Sequence, residues 1–210
     1  EIGQLSEKFG GDITTISHAI GLDARIGSQF LNAGLGFGGS CFPKDISSLI
    51  FQAERSGIDP MILKSVKKRN QSQKKYFLKK ILDHFNYKKD LNLTIWGLSF
   101  KPDTDDIRES PAIYLVKSLM KFTSSIRCYD PIASYNFSKE FGSKKISFFD
   151  DKYKALAESD GLVICTDWKE FEDIDEKKMK KHMNQYVIFD GRNIYSKNFF
   201  SAKGFKYLSI

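Results

Sequence analysis

The stretch "LNLTIWGLSFKPDTDDIRESPAIYLVKSL", residues 91–119, opens as an apolar, strand-like run and closes as a helix. "LNLTIWGL" has the length of a buried strand, and Ser110 with Pro111 begins "PAIYLVKSL", where a proline suits the first helical turn. Between them lies an acid-rich loop, in which Lys101 is expected to end the strand and Pro102 to stop it. The loop reads two ways. Its four acids and Arg108 can pair among themselves on the surface, or Lys101 and Arg108 can hold phosphates at a strand end.

The same alternation runs on downstream. "SIRCYDP", "ISFF", "GLVICTD", "YVIFDGR" and "KYLSI" read as strands. Helical segments separate them, near 134–141, at "YKALAESD" and in a Lys-rich run. Short apolar strands alternating with helices predict a parallel sheet covered on both faces. The expected fold is therefore α/β: a helical segment over 1–88, then a Rossmann-like, doubly wound, mostly parallel sheet over 89–210. In such sheets ligands bind beyond the carboxyl ends of the strands. Three of those ends carry polar residues: "WGLSFKPDTDD", "CYDP" and "FDGRN".

Upstream the pattern is helical. Asp12 is placed to cap "ITTISHAIG", with Ile13, Ile16 and Ile20 on one face and Gly21 as the stop. Asp45 is the expected N-cap of "ISSLIFQAERSG", whose buried stripe is Leu49, Ile50 and Ala53. Pro60 opens a longer helix to about Phe85, with Val66, Phe77, Ile81 and Leu82 inward.

Composition narrows the function. The 210 residues are 41% hydrophobic and 28% charged, with a formal net charge of +7. The excess charge lies largely in "KSVKKRNQSQKKYFLKK" and "EKKMKKH", where lysines share helices with apolar residues and read as a solvated face. No nucleic-acid reader's motif is present, so no nucleic-acid partner is expected. The longest apolar runs, such as "AIYLV", fall far short of the roughly 20 residues a membrane span needs. With no signal-peptide pattern either, the expected location is cytoplasmic. The chain opens on "EIGQLSEKFGG", which reads as the middle of a helix, so a piece of a longer protein is expected. Three cysteines without CxxC spacing argue against a disulfide framework and a zinc site. Cys128 and Cys165 fall in strand-like runs as core residues, and His18, His84 and His182 are scattered, so no metal is expected.

Cys41 differs. It sits in "GLGFGGSCFPKD", residues 34–45, among glycines and just before Lys44 and Asp45. A thiolate is the reactive form of cysteine, and a helix N-terminus with a nearby cation favours it. Glycines 34, 36, 38 and 39 leave backbone amides open to a ligand, because no Cβ blocks approach. The loop reads as one built to hold a polar ligand against a nucleophile.

"GLGFGGSCFPKD", "GLSFKPDTDDIRESPA" and "FDGRN", in this order and spacing, resemble the UDP-glucose 6-dehydrogenase family within the UDP-glucose/GDP-mannose dehydrogenases. The similarity runs from "AIGLDARIG" to the end. It covers the end of the family's central helical, dimerisation domain and its C-terminal UDP-sugar-binding domain, without the N-terminal NAD-binding domain. The resemblance implies NAD as cofactor, UDP-glucose as substrate and a homodimer or higher homo-oligomer. It makes Cys41 the nucleophile, which captures an aldehyde as a thiohemiacetal that becomes a thioester, and Asp45 the aspartate that positions water. It gives the segment of Phe30, Leu31, Asn32, Ala33, Gly34, Gly36, Phe37 and Gly38 to the nucleotide sugar. Phe100, Lys101 and Arg192 also match substrate contacts. Arg25 matches an arginine offered to the neighbouring subunit's substrate, and Lys44 and Arg108 match positions that touch NAD. The family's central-helix lysine and asparagine and its earlier glutamate and threonine have no counterparts here, so no turnover is expected of this chain alone. Two further readings stand beside it: a dehydrogenase of another nucleotide sugar, GDP-mannose or a UDP-amino sugar, and a non-catalytic nucleotide-sugar-binding module.

Overall fold

The computed structural model describes residues 1–142 and 144–210, with Lys197 by its backbone alone. Four helices come first: α1 (Ile2–Lys8), α2 (Ile13–Gly21), α3 (Phe42–Arg55) and α4 (Met61–His84). Asp12 caps α2 as its sequence predicts, accepting from the Thr14 amide at 2.8 Å. Pro60 stands at the N-cap of α4. Then β1 (Leu91–Trp96), α5 (Pro111–Leu119), β2 (Thr123–Tyr129), α6 (Ser134–Glu140), β3 (Ile146–Phe148) and α7 (Lys152–Ala155) follow. The chain closes with β4 (Gly161–Ile164), α8 (Lys169–Glu172), α9 (Glu176–His182), β5 (Val187–Asp190), α10 (Lys197–Ala202) and β6 (Lys206–Leu208).

The strands form one sheet in the order β3-β2-β1-β4-β5-β6, and every described pairing is parallel. This is the doubly wound order, which reverses direction between β1 and β4. The period-2 alternation of a strand divides the core in two. On one face Leu93, Ile95, Val163 and Phe189 pack with Phe77 and Ile81 of α4, Leu115 and Leu119 of α5, and Phe137 of α6. On the other, Trp96, Leu162, Ile164 and Ile188 pack with Ala155 of α7, Phe171 of α8, Met179 of α9 and Phe200 of α10. Helix α4 thus ties the helical part to the sheet. Cys128 and Cys165 are buried in the first of these cores, as their strand-like context predicts.

Three local expectations are corrected. β1 ends at Trp96 rather than Lys101, because the chain turns at Gly97 and the buried Asp130 carboxylate takes the amides of Leu98 and Ser99 at 2.7 and 3.2 Å. Helix α3 starts at Phe42, with Cys41 as its N-cap and Asp45 inside its first turn. Pro43, with its fixed φ and no amide to satisfy, suits the first helical positions and brings the start forward. Finally, the apolar stripe of α3 is not buried: no residue of that helix is, and Leu49 is 51% exposed. Val66 of α4 and Ile20 of α2 are likewise exposed, while Phe77, Ile81 and Leu82 are inward as expected. Periodicity marks an apolar face; it does not say what covers it.

Candidate active site

The segment from Leu31 to Cys41 crosses from the helical part to the carboxyl ends of β4 and β5 and returns to α3. Its attachment starts with Leu35, fully buried, whose side chain lies against Gly191 just beyond β5. A Cβ on Gly191 would stand 2.4 Å from Leu35, so only glycine admits that contact. The Leu35 amide donates to the Gly191 carbonyl at 3.0 Å, and Asn193 donates to the Ala33 carbonyl at 3.1 Å. On the helical side, Ser17 donates to the Leu31 carbonyl at 2.8 Å and Gln73 to the Gly34 carbonyl at 2.9 Å. Asn70 both accepts from the Phe37 amide, at 2.8 Å, and donates to the Phe37 carbonyl, at 2.9 Å. Finally the Gly39 amide donates to the Arg108 carbonyl at 2.8 Å.

These bonds revise the role of the glycines. The Gly39 amide is not open to a ligand, since Arg108 occupies it. Gly39 has φ +82, and a Cβ there would fall 2.7 Å from the Phe100 ring. Its glycine permits backbone and aromatic ring to meet, a left-handed residue in a tight place. Tied and untied amides alternate: those of Leu35, Phe37 and Gly39 are bonded, whereas those of Gly34, Gly36 and Gly38 take no acceptor among the described residues.

Arg192 joins this segment to the sheet. Its Nε donates to the Cys165 carbonyl at 2.7 Å, and an Nη atom lies 3.3 Å from the Phe100 carbonyl. A Cβ on Gly34 would come 3.3 Å from the same guanidinium. Gly34, Phe100 and Arg192 are therefore neighbours although they are remote in sequence. The exposed Lys101 ammonium stands over the Phe100 ring, 5.6 Å from its centre.

Cys41 is exposed at the N-terminus of α3, and its carbonyl accepts the Asp45 amide at 2.8 Å. Its sulfur lies 3.8 Å from the Ser40 hydroxyl. Lys44 and Asp45 pair at 3.2 Å in the same first turn. Beside them a cavity of about 700 Å³ is lined by Lys44, Lys67, Lys74 and Arg108, with Glu109 as its acid. Burial pulls the Lys74 ammonium below the usual lysine range, while Glu109 acts in the opposite sense. Arg108 is bound by Asp106 at 2.7 Å, which pushes the guanidinium up and the carboxyl down. That pair realises the surface ion-pair reading of the acid-rich loop.

The remaining predicted positions stand apart. Arg25 pairs with Asp23 of its own turn at 2.6 Å and is otherwise in solvent. Phe30 is 90% exposed, and Asn32 is exposed. Among the described residues no group of three or more His, Cys, Asp or Glu could hold a metal ion, and no helix is long and apolar enough to cross a membrane.

Sequence reasoning missed Leu35, Asn70 and Gln73. Leu35 could have been found as the one aliphatic residue within "GLGFGG"; Asn70 and Gln73 were hidden in a Lys-rich helix read as solvated. Two polar strand ends also turn out to be architectural. Asp130 beyond β2 accepts from the amides of Leu98, Ser99, Ile132 and Ala133 and from Trp168 Nε1. Asp190 at the end of β5 accepts from the amides of Arg192, Ile194 and Tyr195 and from the Tyr207 hydroxyl. Burial pushes the Asp190 carboxyl up, against the downward pull of those donors. Each carboxylate shapes the loop that follows its strand.

Residues 1–72 match the central domain, and residues 94–197 the UDP-binding domain, of the UDP-glucose/GDP-mannose dehydrogenase family. The chain belongs to that family. It is 36% identical over its whole length to the UDP-glucose 6-dehydrogenase TuaD of Bacillus subtilis, and spans 45% of that protein. Among solved structures, a UDP-glucose dehydrogenase from Pyrobaculum islandicum is 31% identical with a TM-score of 0.86; 99% of this chain and 45% of that one are covered. A UDP-D-ManNAc dehydrogenase from Pyrococcus horikoshii is 25% identical with a TM-score of 0.81, over 99% of this chain and 46% of the other. The chain thus spans about half the length of the family members it matches.

Proposed function

We propose that the chain is part of an NAD-dependent UDP-glucose 6-dehydrogenase, acting in the cytoplasm, that oxidises UDP-glucose to UDP-glucuronate. One observation carries this reading: the Gly34–Gly39 segment meets Arg192 and Phe100 at the carboxyl ends of the strands, and leads two residues later into an exposed thiol at a helix N-terminus. That is where doubly wound sheets bind ligands. The untied amides of Gly34, Gly36 and Gly38, with Phe30 through Phe37, take the nucleotide sugar, and Lys101 and Arg192 supply the charge that faces its diphosphate.

Cys41 is the nucleophile. Its thiolate adds to the C6 aldehyde carbon, a C–S bond forms, and the carbonyl oxygen takes a proton to give a thiohemiacetal. The oxidised form of that adduct is a thioester. Water positioned by Asp45 attacks its carbonyl carbon, the C–S bond breaks, and the sulfur departs as thiolate. NAD, when bound, supplies the acceptor for the two hydrides that leave C6. The cation-lined cavity beside Cys41 fits a dinucleotide's diphosphate, with Lys44 and Arg108 as the residues to hold it. We assign residues 1–88 to a partial dimerisation domain and 89–210 to the UDP-sugar domain. A homodimer or higher oligomer belongs to the same reading, supported by exposed Leu22, Ile26 and Phe30 flanking Arg25.

The test is calorimetric titration of the chain with UDP, UDP-glucose, UDP-D-ManNAc and GDP-mannose. UDP and UDP-glucose are expected to bind, GDP-mannose not, and Arg192→Ala to weaken UDP about tenfold or more, the loss of a charge-assisted contact. Preference for UDP-D-ManNAc would move the assignment to an amino sugar. Failure of every uridine nucleotide to bind would sink the site.

A further inference from the structure

The inner face of α4 carries a side chain that holds the cysteine segment by both of its polar atoms. Asn70 Oδ1 accepts from the Phe37 amide and Nδ2 donates to the Phe37 carbonyl, at 2.8 and 2.9 Å. A neighbouring strand would make the same pair of bonds to a single residue. Gly36, immediately before, has φ +105, and a Cβ there would stand 2.4 Å from Asn70 Oδ1. Carboxamide and glycine are therefore fitted to each other, in conformation and in space. The tethers on either side, Leu35 to Gly191 and Gly39 to Arg108, belong to the sheet part. Asn70 fixes the segment between them to the helical part, from which α3 and Cys41 project.

We propose that Asn70 is a positioning residue: its two-way hydrogen bond to Phe37 keeps Gly36–Gly38 and the Cys41 thiol in register with Arg192 and Phe100. The inference rests on the reading of this segment as the nucleotide-sugar site. Its chemistry is specific, because only a carboxamide offers a donor and an acceptor in that plane. An aspartate of the same shape would set a second acceptor against the Phe37 carbonyl. Gln73, three residues on and on the same helix face, makes a single bond to the segment, to the Gly34 carbonyl.

The test measures Cys41 alkylation by iodoacetamide with and without saturating UDP-glucose, alongside the unfolding midpoint, for wild type, Asn70→Ala, Asn70→Asp and Gln73→Ala. Both Asn70 variants are expected to reduce UDP-glucose protection about tenfold, the effect of two net hydrogen bonds, at an unfolding midpoint well above the assay temperature. Gln73→Ala should stay within about threefold, the effect of one weaker bond. Asn70→Asp behaving as wild type would mean that shape rather than hydrogen bonding holds the loop, and the proposal falls. It falls too if Asn70→Ala is protected like wild type, or if both variants unfold. Wild type left unprotected by UDP-glucose would refute the nucleotide-sugar reading instead. The unliganded alkylation rate then decides: a change of about threefold or more in Asn70→Ala upholds positioning, and no change overturns it.

Discussion

The sheet part and the helical part of this chain bury their apolar side chains to very different degrees. Every residue of β4 and β5 is buried, while α3 buries none and exposes Leu49 and Phe51. A sheet of buried parallel strands needs helices on both faces; residues 91–208 supply most of them, and α4 completes one face with Phe77 and Ile81. Helices α1 to α3 have no such cover within the chain. Apart from the buried Leu35, what attaches the cysteine segment is polar: Ser17, Asn70 and Gln73 on one side, the Gly191 and Arg108 carbonyls and Asn193 on the other. The difference teaches that the sheet is a finished core, whereas the helical part presents surfaces suited to further protein.

Thiol chemistry should divide the two parts most sharply. With a small alkylating reagent near neutral pH, one label per chain is expected, on Cys41, and none after Cys41→Ser. Cys128 and Cys165 are buried, and burial pushes the Cys165 thiol up to about 12, so neither offers a thiolate. Mass spectrometry of native and urea-unfolded protein reads this directly; native labelling of Cys165 would mean that the sheet core opens.

Truncation should show the next largest contrast. Phe189→Ala removes a fully buried ring between α4 and the sheet, and should cost about 3–5 kcal/mol by urea unfolding. Leu49→Ala on α3 should change stability by less than about 0.5 kcal/mol, because its side chain is half in solvent. A large loss from Leu49→Ala would show that α3 is covered in solution.

The smallest effect lies at the seam. His84, at the end of α4, packs its ring 5.5 Å from that of Phe189. Burial, helped by Lys206, holds its pKa below the ordinary 6.5. The unfolded chain therefore takes up a proton there before the folded one does, and stability declines as pH falls below about 6.5. His84→Phe should flatten that decline slightly, seen as a smaller drop in unfolding midpoint between pH 7.5 and 5.5. An unchanged slope would place the titration elsewhere.

The strands were legible because each is a short apolar run bounded by polar or glycine-rich residues, and the cap Asp12 because a side-chain oxygen before a helix has a local purpose. The location of the site was legible from its glycines and its cysteine. How it is held was not. Asn70 and Gln73 act on residues some 33 and 39 positions away, and nothing local distinguishes an inward carboxamide from a solvated one. Asp130 and Asp190 looked like chemistry because buried carboxylates at strand ends can serve either ligands or loops. Helix α3 misled twice, over its cap and over its stripe, because proline and period fix a helix and its phase but not its neighbours.

The bond from Asn193 to the Ala33 carbonyl has a consequence for synthesis. It joins residues 160 positions apart, so the support of the reactive loop is made well after the loop itself. A ribosome delivers the cysteine long before it delivers β5 and the turn that holds Leu35. Until then the thiol belongs to an unanchored segment. The nucleophile acquires its setting only once β5 and the turn beyond it have been made, and a product truncated before β5 would carry the sulfur without the place to use it.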